Sequence, residues 1–249
     1  MDDVSELQAR LATLRPLRAD QIAALFPHLV AENALFVYES NAIEGSTLTL
    51  GETIAVVEEG LTIAGKPLRD HLDAVNGSAA YHLMLDLAQT RREIELDTIL
   101  ALHRAVVGSA AYGGRLRDQP VYIRGSRHVP PNHIKVSSLM EAMVAAMRPS
   151  QILHPVERAA RAHFDLLTIH PFVDGNGRTA RLLQNLVLIG AGFAPITIAA
   201  HERPRYFDVL QAAQVAIPGS GNARLFVPYI AELELRELRR YLDVLDSDG

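Results

Sequence analysis

The run His170-Pro171-Phe172-Val173-Asp174-Gly175-Asn176-Gly177-Arg178-Thr179-Ala180-Arg181 carries the most concentrated chemistry in this chain. It lies between two strongly helical segments and reads as a tight helix–loop–helix junction. Two glycines around an asparagine let the backbone turn sharply and come close to a ligand. Successive backbone N–H groups in such a turn can form an anion-binding nest. The helix beginning near Arg178 adds its own free amides and positive dipole end. Arg178 and Arg181 stand three residues apart, on neighbouring faces of its first turn. Cations are disfavoured at a helix N-terminus, so two arginines there point to a polyanion such as a triphosphate. Asp174 suits a Mg²⁺ ion whose shell is completed by phosphate oxygens and water. His170, closing the preceding helix, suits proton abstraction from a hydroxyl near neutral pH. Base, metal ligand, anion hole and charge clamps together are what phosphoryl-type transfer requires. A lone Gly-Asn-Gly is ordinarily a turn, and a lone helix-terminal His a cap. Their combination with Asp174, Arg178 and Arg181 favours a site.

Outward from this run the chain reads as helical. Pro155 opens the helix that leads into it, with Val156, Ala160, His163, Phe164 and Leu167 on one apolar stripe. Thr179 to Ile189 is intensely apolar and reads as the most buried helix. Further helices are expected over Asp20–Ala31, Ala31–Glu44, Thr49–Glu59, Leu68–Thr90, Asp97–Val107, Ser137–Met147, Arg203–Val215 and Asn222–Leu245. The last four residues read as a frayed tail. Between Tyr112 and Asn132 the texture changes to Gly-Gly, Arg-Gly-Ser-Arg and Pro-Pro. There the β-prone triplet Val121-Tyr122-Ile123, the Gly125-Ser126 turn and His128-Val129 predict a small exposed hairpin.

The bulk numbers fit one large domain, or one with a small extra lobe, among its 249 residues. The absence of cysteine excludes disulfides and thiolate metal sites. A formal net charge of −5 gives no bulk reason to expect nucleic-acid binding. No signal peptide is recognisable, and no apolar run has the length of a membrane span. A cytoplasmic protein with neither nucleic-acid nor membrane partners is the expectation.

The quoted run resembles the signature of the Fic family, His-x-Phe-x-Asp/Glu-Gly-Asn-Gly-Arg-x-x-Arg, at every specified position. The resemblance extends from about Tyr38 to Ile230. It implies an all-α, Fic-type helical bundle with a small β-hairpin flap. Residues 1–95 would form an N-terminal helical region with an inhibitory helix near 31–45. Residues 96–249 would form the catalytic core, with the flap near 118–131. It also implies an activity: transfer of AMP from ATP to a hydroxyl side chain of a protein. His170 would be the general base, and Phe172 a core anchor for the loop. Asp174 would carry Mg²⁺ or Mn²⁺, and Gly175, Asn176 and Gly177 would form the anion hole. Arg178 would contact the phosphates and Arg181 the γ-phosphate. The flap, with Ser126, Arg127 and His128 at the nucleotide, would align the target by strand addition. Tyr206, Phe207 and Gln214 would belong to the adenine pocket, although Tyr206 and Phe207 are equally ordinary core candidates.

Ser40-Asn41-Ala42-Ile43-Glu44-Gly45 matches a second Fic pattern, Ser/Thr-x-x-x-Glu-Gly/Asn. In related proteins its glutamate pairs with the second motif arginine, here Arg181, and spoils the nucleotide pose. Glu44 sits in the last turn of its expected helix, where an anion is disfavoured; a cationic partner would offset this. Ser40, one turn back, could hydrogen-bond Glu44.

His103, His154 and His163 are scattered along helical stretches without a tight His-x-x-x-His pair, which favours structural roles. Arg115 and Arg117 either support the flap base or are solvated. Against AMP transfer stand removal of AMP by the same site, a nucleotide-sensing binding module, and a donor other than ATP. Target protein, self-modification and homo-oligomerisation are left open.

Overall fold

The computed structural model describes residues 1–14, 32–90, 92–148, 153–217 and 219–247. Every regular element among them is helical. In chain order these are α1 (Asp2–Thr13), α2 (residues 32–43), α3 (Leu50–Glu58), α4 (Leu68–Thr90) and α5 (Leu96–Val107). They continue with α6 (Val136–Ala146), α7 (Pro155–Ile169), α8 (Asn176–Gly190), α9 (Arg203–Val215) and α10 (Val227–Ser247). The helix expected over Asp20–Ala31 lies outside the described residues. α1 was not expected from periodicity. Asp2 and Asp3 suit its first turn, and Val4 and Leu11 are buried where it packs on α10. α10 runs through Ser247, so the first half of the expected tail is helical.

The hub is the α7–α8 pair. His154 caps α7, its Nδ1 accepting from the Val156 N–H at 3.2 Å, and Pro155 pre-sets the first turn. α7 buries Val156, Ala160, Phe164, Leu166 and Leu167, each large side chain contributing roughly 1.5–3 kcal/mol on burial. α8 is buried on every side from Arg178 to Leu188, so any charge it carries must find a partner inside the protein. α4 and α5 cover α8 on one side, and α10 and α6 cover α7 on the other. α2 crosses α4 at Gly77, where an added Cβ would lie 3.3 Å from Val37 Cγ1. Arg203 Nε donates to the Ile43 carbonyl at 2.7 Å, satisfying the end of α2. These contacts fix the C-terminal turn of α2 over the N-terminus of α8.

The expected hairpin near 118–131 is not a hairpin. Exposure does alternate from Val121 to Arg124 and from Ser126 to Val129, as in extended chain, and Gly125 turns at φ 75°. One turn bond joins the two halves and no ladder extends beyond it, because other groups take the next amides. The Ser126 N–H bonds the Ile123 carbonyl at 3.2 Å, Arg127 N–H bonds Gln211 Oε1 at 2.7 Å, and His128 N–H bonds Ser126 Oγ at 3.0 Å. Side chains tie the segment down instead. His128 Nε2 donates to the Thr168 carbonyl at 2.8 Å. Arg117, 4% exposed, donates to the carbonyls of His170 (2.8 Å), Gln119 (3.0 Å) and Pro131 (2.6 Å). Of the two readings left open for Arg117, the structure shows the flap base.

Two predictions follow from the core and the loop. Burial, and secondarily the charge of Arg181, push the fully buried His163 imidazole down to about 3. Its folded pKa is below its unfolded value, so its contribution to stability is complete above pH ~6.5 and lost as pH falls toward ~3. The slope is about 1.4 kcal/mol per pH unit. Asp165 and Glu234, raised by burial to about 6 and about 8, act with the opposite sign and weaken the fold as pH rises. Urea unfolding of wild type and His163→Gln at pH 7, 6 and 5 should therefore converge with acidification; a constant gap would contradict a neutral buried imidazole. Arg117→Met strands three carbonyls and should cost about 2–4 kcal/mol. Proteolytic cleavage between 118 and 131 should then rise well above that expected from global unfolding, and an unchanged cleavage pattern would show that the loop is held elsewhere.

Candidate active site

His170 closes α7 in a left-handed conformation, φ 50° and ψ 60°, the one described non-glycine residue with positive φ. Such a backbone costs roughly 1–2 kcal/mol and persists only where its surroundings over-determine it. Here the His170 N–H bonds the Leu166 carbonyl at 2.8 Å and its own carbonyl takes the Arg117 Nε bond. Burial pushes the imidazole down to about 4, with Arg117 and His128 acting in the same direction and Glu44 opposing. Nδ1 is buried, with the Leu167 carbonyl nearby but outside bonding geometry. The ring is therefore neutral at pH 7 and carries a lone pair.

The loop after it is built from inside. The Phe172 N–H bonds Asn176 Oδ1 at 3.0 Å, and Asn176 Nδ2 bonds the Phe172 carbonyl at 2.9 Å. The Asn176 side chain is thus a clamp across the loop, and only its backbone is left to serve an anion. Phe172, fully buried, stacks on His103 of α5 with centroids 3.7 Å apart and planes at 6°. Gly175 is left-handed at φ 78°, and a Cβ there would meet Val107 Cγ1 at 2.9 Å; only glycine fits both the turn and the contact.

His103 does more than pack. A carbonyl can only accept, so its Nε2–H donates to the Asp174 carbonyl at 3.0 Å, and its Nδ1 accepts from the Gly114 N–H at 3.0 Å. Burial pushes this imidazole down to about 4, against the pull of Asp174. The Asp174 side chain is half-exposed. Its Oδ1 accepts from the Gly175 N–H at 2.7 Å. Oδ2 lies 3.7 Å from Arg178 Nη2 and 3.9 Å from Arg69 Nη2, both too far for hydrogen bonds. Oδ2 thus accepts no hydrogen bond, although both guanidinium groups stand within ion-pair reach of it. A single carboxylate fits Mg²⁺, which keeps its waters and takes substrate phosphates for the rest of its shell.

The two motif arginines have different partners. Arg178, 5% exposed, is ion-paired with Asp73 of α4. Arg181, 2% exposed, reaches α2: Nε donates to Ser40 Oγ at 2.8 Å, and Nη2 to the Ser40 carbonyl at 3.0 Å and to Glu44 Oε1 at 2.8 Å. Ser40 therefore bonds the arginine, and the Ser40–Glu44 bond expected from helical spacing does not form. Arg181 Nη1 is buried without a partner. Glu44 Oε1 would lie 2.2 Å from a Cβ on Gly177, so the carboxylate rests on the first turn of α8.

A cavity of about 460 Å³ opens here, lined by residues including Glu44, His170, Gly177, Arg181, Ile123 and Ser126. On its α9 side lie Arg203, Tyr206, Phe207, Gln211 and Gln214. Its volume falls within the ~300–1,000 Å³ of small-molecule sites. Phe207 is partly exposed, with the Arg203 guanidinium 4.9 Å from its ring centroid. Tyr206 is fully buried, its hydroxyl 2.8 Å from His163 Nε2. Tyr206 is thus a buried core residue that also lines the cavity, and Phe207 a partly exposed lining residue. Arg127 and His128 do not line the cavity; they pin the loop to α9 and α7. Sequence reasoning missed Asp73, Gln211 and Arg203, and left His103 as a generic structural residue. No local pattern marks any of them.

The chain's relatives agree with this architecture. A profile described as Fic/DOC family matches residues 93–188. Protein adenylyltransferase fic-1 of Caenorhabditis elegans is 37% identical over 221 residues, covering 86% of this chain and 42% of the relative. Protein adenylyltransferase Fic of Nematostella vectensis is 38% identical over 211 residues, covering 83% and 48%. The chain thus spans less than half the length of these curated relatives. Among solved structures, Fic-1 (residues 134–508) from C. elegans superposes with a TM-score of 0.85 at 32% identity, covering 99% of this chain and 72% of that one. A Fic domain containing signaling protein from Bacteroides thetaiotaomicron gives 0.89 at 26% identity, covering 99% and 98%. With the motif loop, the helical fold and the extent of these matches in agreement, the chain belongs to the Fic/DOC family.

Proposed function

We propose that this chain transfers AMP from ATP to a protein hydroxyl, and that Glu44 holds it in an inhibited state. The observation that carries the proposal is the Glu44–Arg181 ion pair at the edge of the cavity that His170 lines. Relatives at 37–38% identity bear the name protein adenylyltransferase, which supports the reaction class.

His170, with Nδ1 buried, presents Nε2 to the cavity. Nε2 takes the proton of the target hydroxyl. The hydroxyl oxygen bonds the α-phosphorus as the bridge to the β-phosphate breaks, and pyrophosphate leaves. A metal ion at Asp174 would supply charge neutralisation on the phosphates. The first-turn amides of α8, and Arg181 once Glu44 is displaced, donate to phosphate oxygens, and Phe207 and Gln214 face the base. With the amides of Ser126, Arg127 and His128 engaged, the edge left for a target backbone is 121–124. Glu44 contests Arg181 with the terminal phosphate, so transfer is slow while α2 stays docked. Among the described residues no helix is long and apolar enough to cross a membrane, and a cytoplasmic setting supplies ATP and Mg²⁺.

Glu44 also supports a second reading, removal of AMP from a modified protein. Only Oε1 bonds Arg181, and the carboxylate is 38% exposed. Oε2 could orient a water.

Glu44→Gly should raise transfer of α-phosphate-labelled AMP, to itself or to added protein, by at least about tenfold, the share of one charged hydrogen bond. Equal rates in wild type and variant would remove the brake. His170→Ala in the Glu44→Gly background should abolish transfer and keep ATP affinity within about threefold, since the base meets the target and not the nucleotide. Loss of ATP binding would contradict its role. If wild type releases AMP from labelled protein and Glu44→Gly does not, removal is the main activity.

A further inference from the structure

We propose that His103 is a positioning residue for the metal-binding half of the motif loop. It acts through the backbone of Asp174. This rests on Asp174 being the metal ligand, and adds a residue outside the motif on which that ligand depends.

The Asp174 carboxylate can hold a cation well only if its direction is set before the cation arrives. Two bonds set it. The Gly175 N–H holds Oδ1 at 2.7 Å, and His103 Nε2–H holds the carbonyl of the same residue at 3.0 Å. Between them they fix both ends of Asp174 and leave Oδ2 as the oxygen without a hydrogen bond. His103 is itself immobile. It is fully buried and sandwiched on Phe172, and its second nitrogen accepts from Gly114 N–H at 3.0 Å. Gly114 leads into Arg117, whose side chain holds the His170 carbonyl and whose N–H bonds the Pro171 carbonyl at 2.8 Å. One imidazole thus joins the metal end of the loop to the segment that braces the base end. A ring that merely filled space would need neither nitrogen. Partners of metal ligands that set ligand orientation change metal affinity by about 10–100-fold when removed.

The two nitrogens can be replaced separately. Gln places an amide N–H where Nε2 stands, Asn places a carbonyl where Nδ1 stands, and Phe keeps only the stack. The test compares Glu44→Gly with the same chain carrying His103→Gln, His103→Asn or His103→Phe. ATP binding is measured by calorimetry in EDTA and across a Mg²⁺ titration, and AMP transfer is measured in parallel. His103→Gln should need Mg²⁺ within about threefold of the parent. His103→Asn and His103→Phe should need about tenfold more, with binding in EDTA unchanged. A purely structural role would lower both kinds of binding together, and that result would overturn the proposal. So would a parental Mg²⁺ requirement in His103→Asn. Should His103→Phe fail to fold, the Gln and Asn pair still decides. A parent whose ATP binding ignores Mg²⁺ would refute Asp174 as the metal ligand, and the proposal with it. A parent with Mg²⁺-dependent binding but no transfer would instead count against the reaction and leave the positioning result to be read from binding alone.

Discussion

A guanidinium 2% exposed on a helix buried all round is the constraint on which this site turns. Arg181 cannot shed its proton, and an uncompensated charge in that position would be costly. Something anionic must therefore stand in front of it. In this structure that is Glu44, with Ser40 taking Nε and sharing Nη2. The placing of α2 follows from this need. Gly77 lets α2 approach α4, and Arg203 secures its last carbonyl. The carboxylate then comes to rest on Gly177. A nucleotide phosphate would offer the same compensation from the cavity side. Under the proposed function, docked helix and bound nucleotide compete for one cation.

The motif loop does not hold itself. Of its residues, Asn176 closes the loop on itself, and the rest of the bracing comes from elsewhere in the chain. α5 supplies His103, the segment before the flap supplies Arg117, and α4 supplies Asp73. Each of these side chains is rigid or bidentate in its bonding, and each is buried or paired. The strained His170 backbone survives because bonds arrive at both its N–H and its carbonyl. Preorganisation of this kind allows a small loop to hold an imidazole, a carboxylate and backbone amides in fixed positions, as the proposed transfer requires.

How far the sequence could be read depends on the range of the interactions. The helices flanking the motif, the turn at Gly175 and the buried run of α8 are local properties, visible as apolar spacing, Gly-Asn-Gly and Pro155. The Glu44–Arg181 pair spans 137 positions and was foreseeable only because a second family pattern names Glu44. His103–Asp174, Arg117–His170 and Asp73–Arg178 are separated by 71, 53 and 105 positions, and no pattern names them. The hairpin shows the same limit from the other side. Val121–Ile123, Gly125 and His128–Val129 do specify two extended arms and a turn. They do not specify whether the arms bond each other or Gln211, Ser126 and Thr168. α1 was missed because two first-turn acids and two buried apolar residues in twelve positions are a weak local signal without α10 to pack on.

The strength of the proposed brake can be bounded from its geometry. Glu44 holds Arg181 through one oxygen, and its carboxylate is 38% exposed. A hydrogen bond to a charged group is worth about 1.5–3 kcal/mol, and solvent access places this one toward the lower end. A bias toward that lower end corresponds to roughly tenfold between docked and undocked α2. An ion pair with both oxygens engaged and sealed from water would have locked the arginine more firmly. A single half-exposed bond leaves the proposed inhibited state within reach of any influence that loosens the last turn of α2. Under the proposed reading such a contact would suppress activity while leaving it recoverable, as a regulatory contact must.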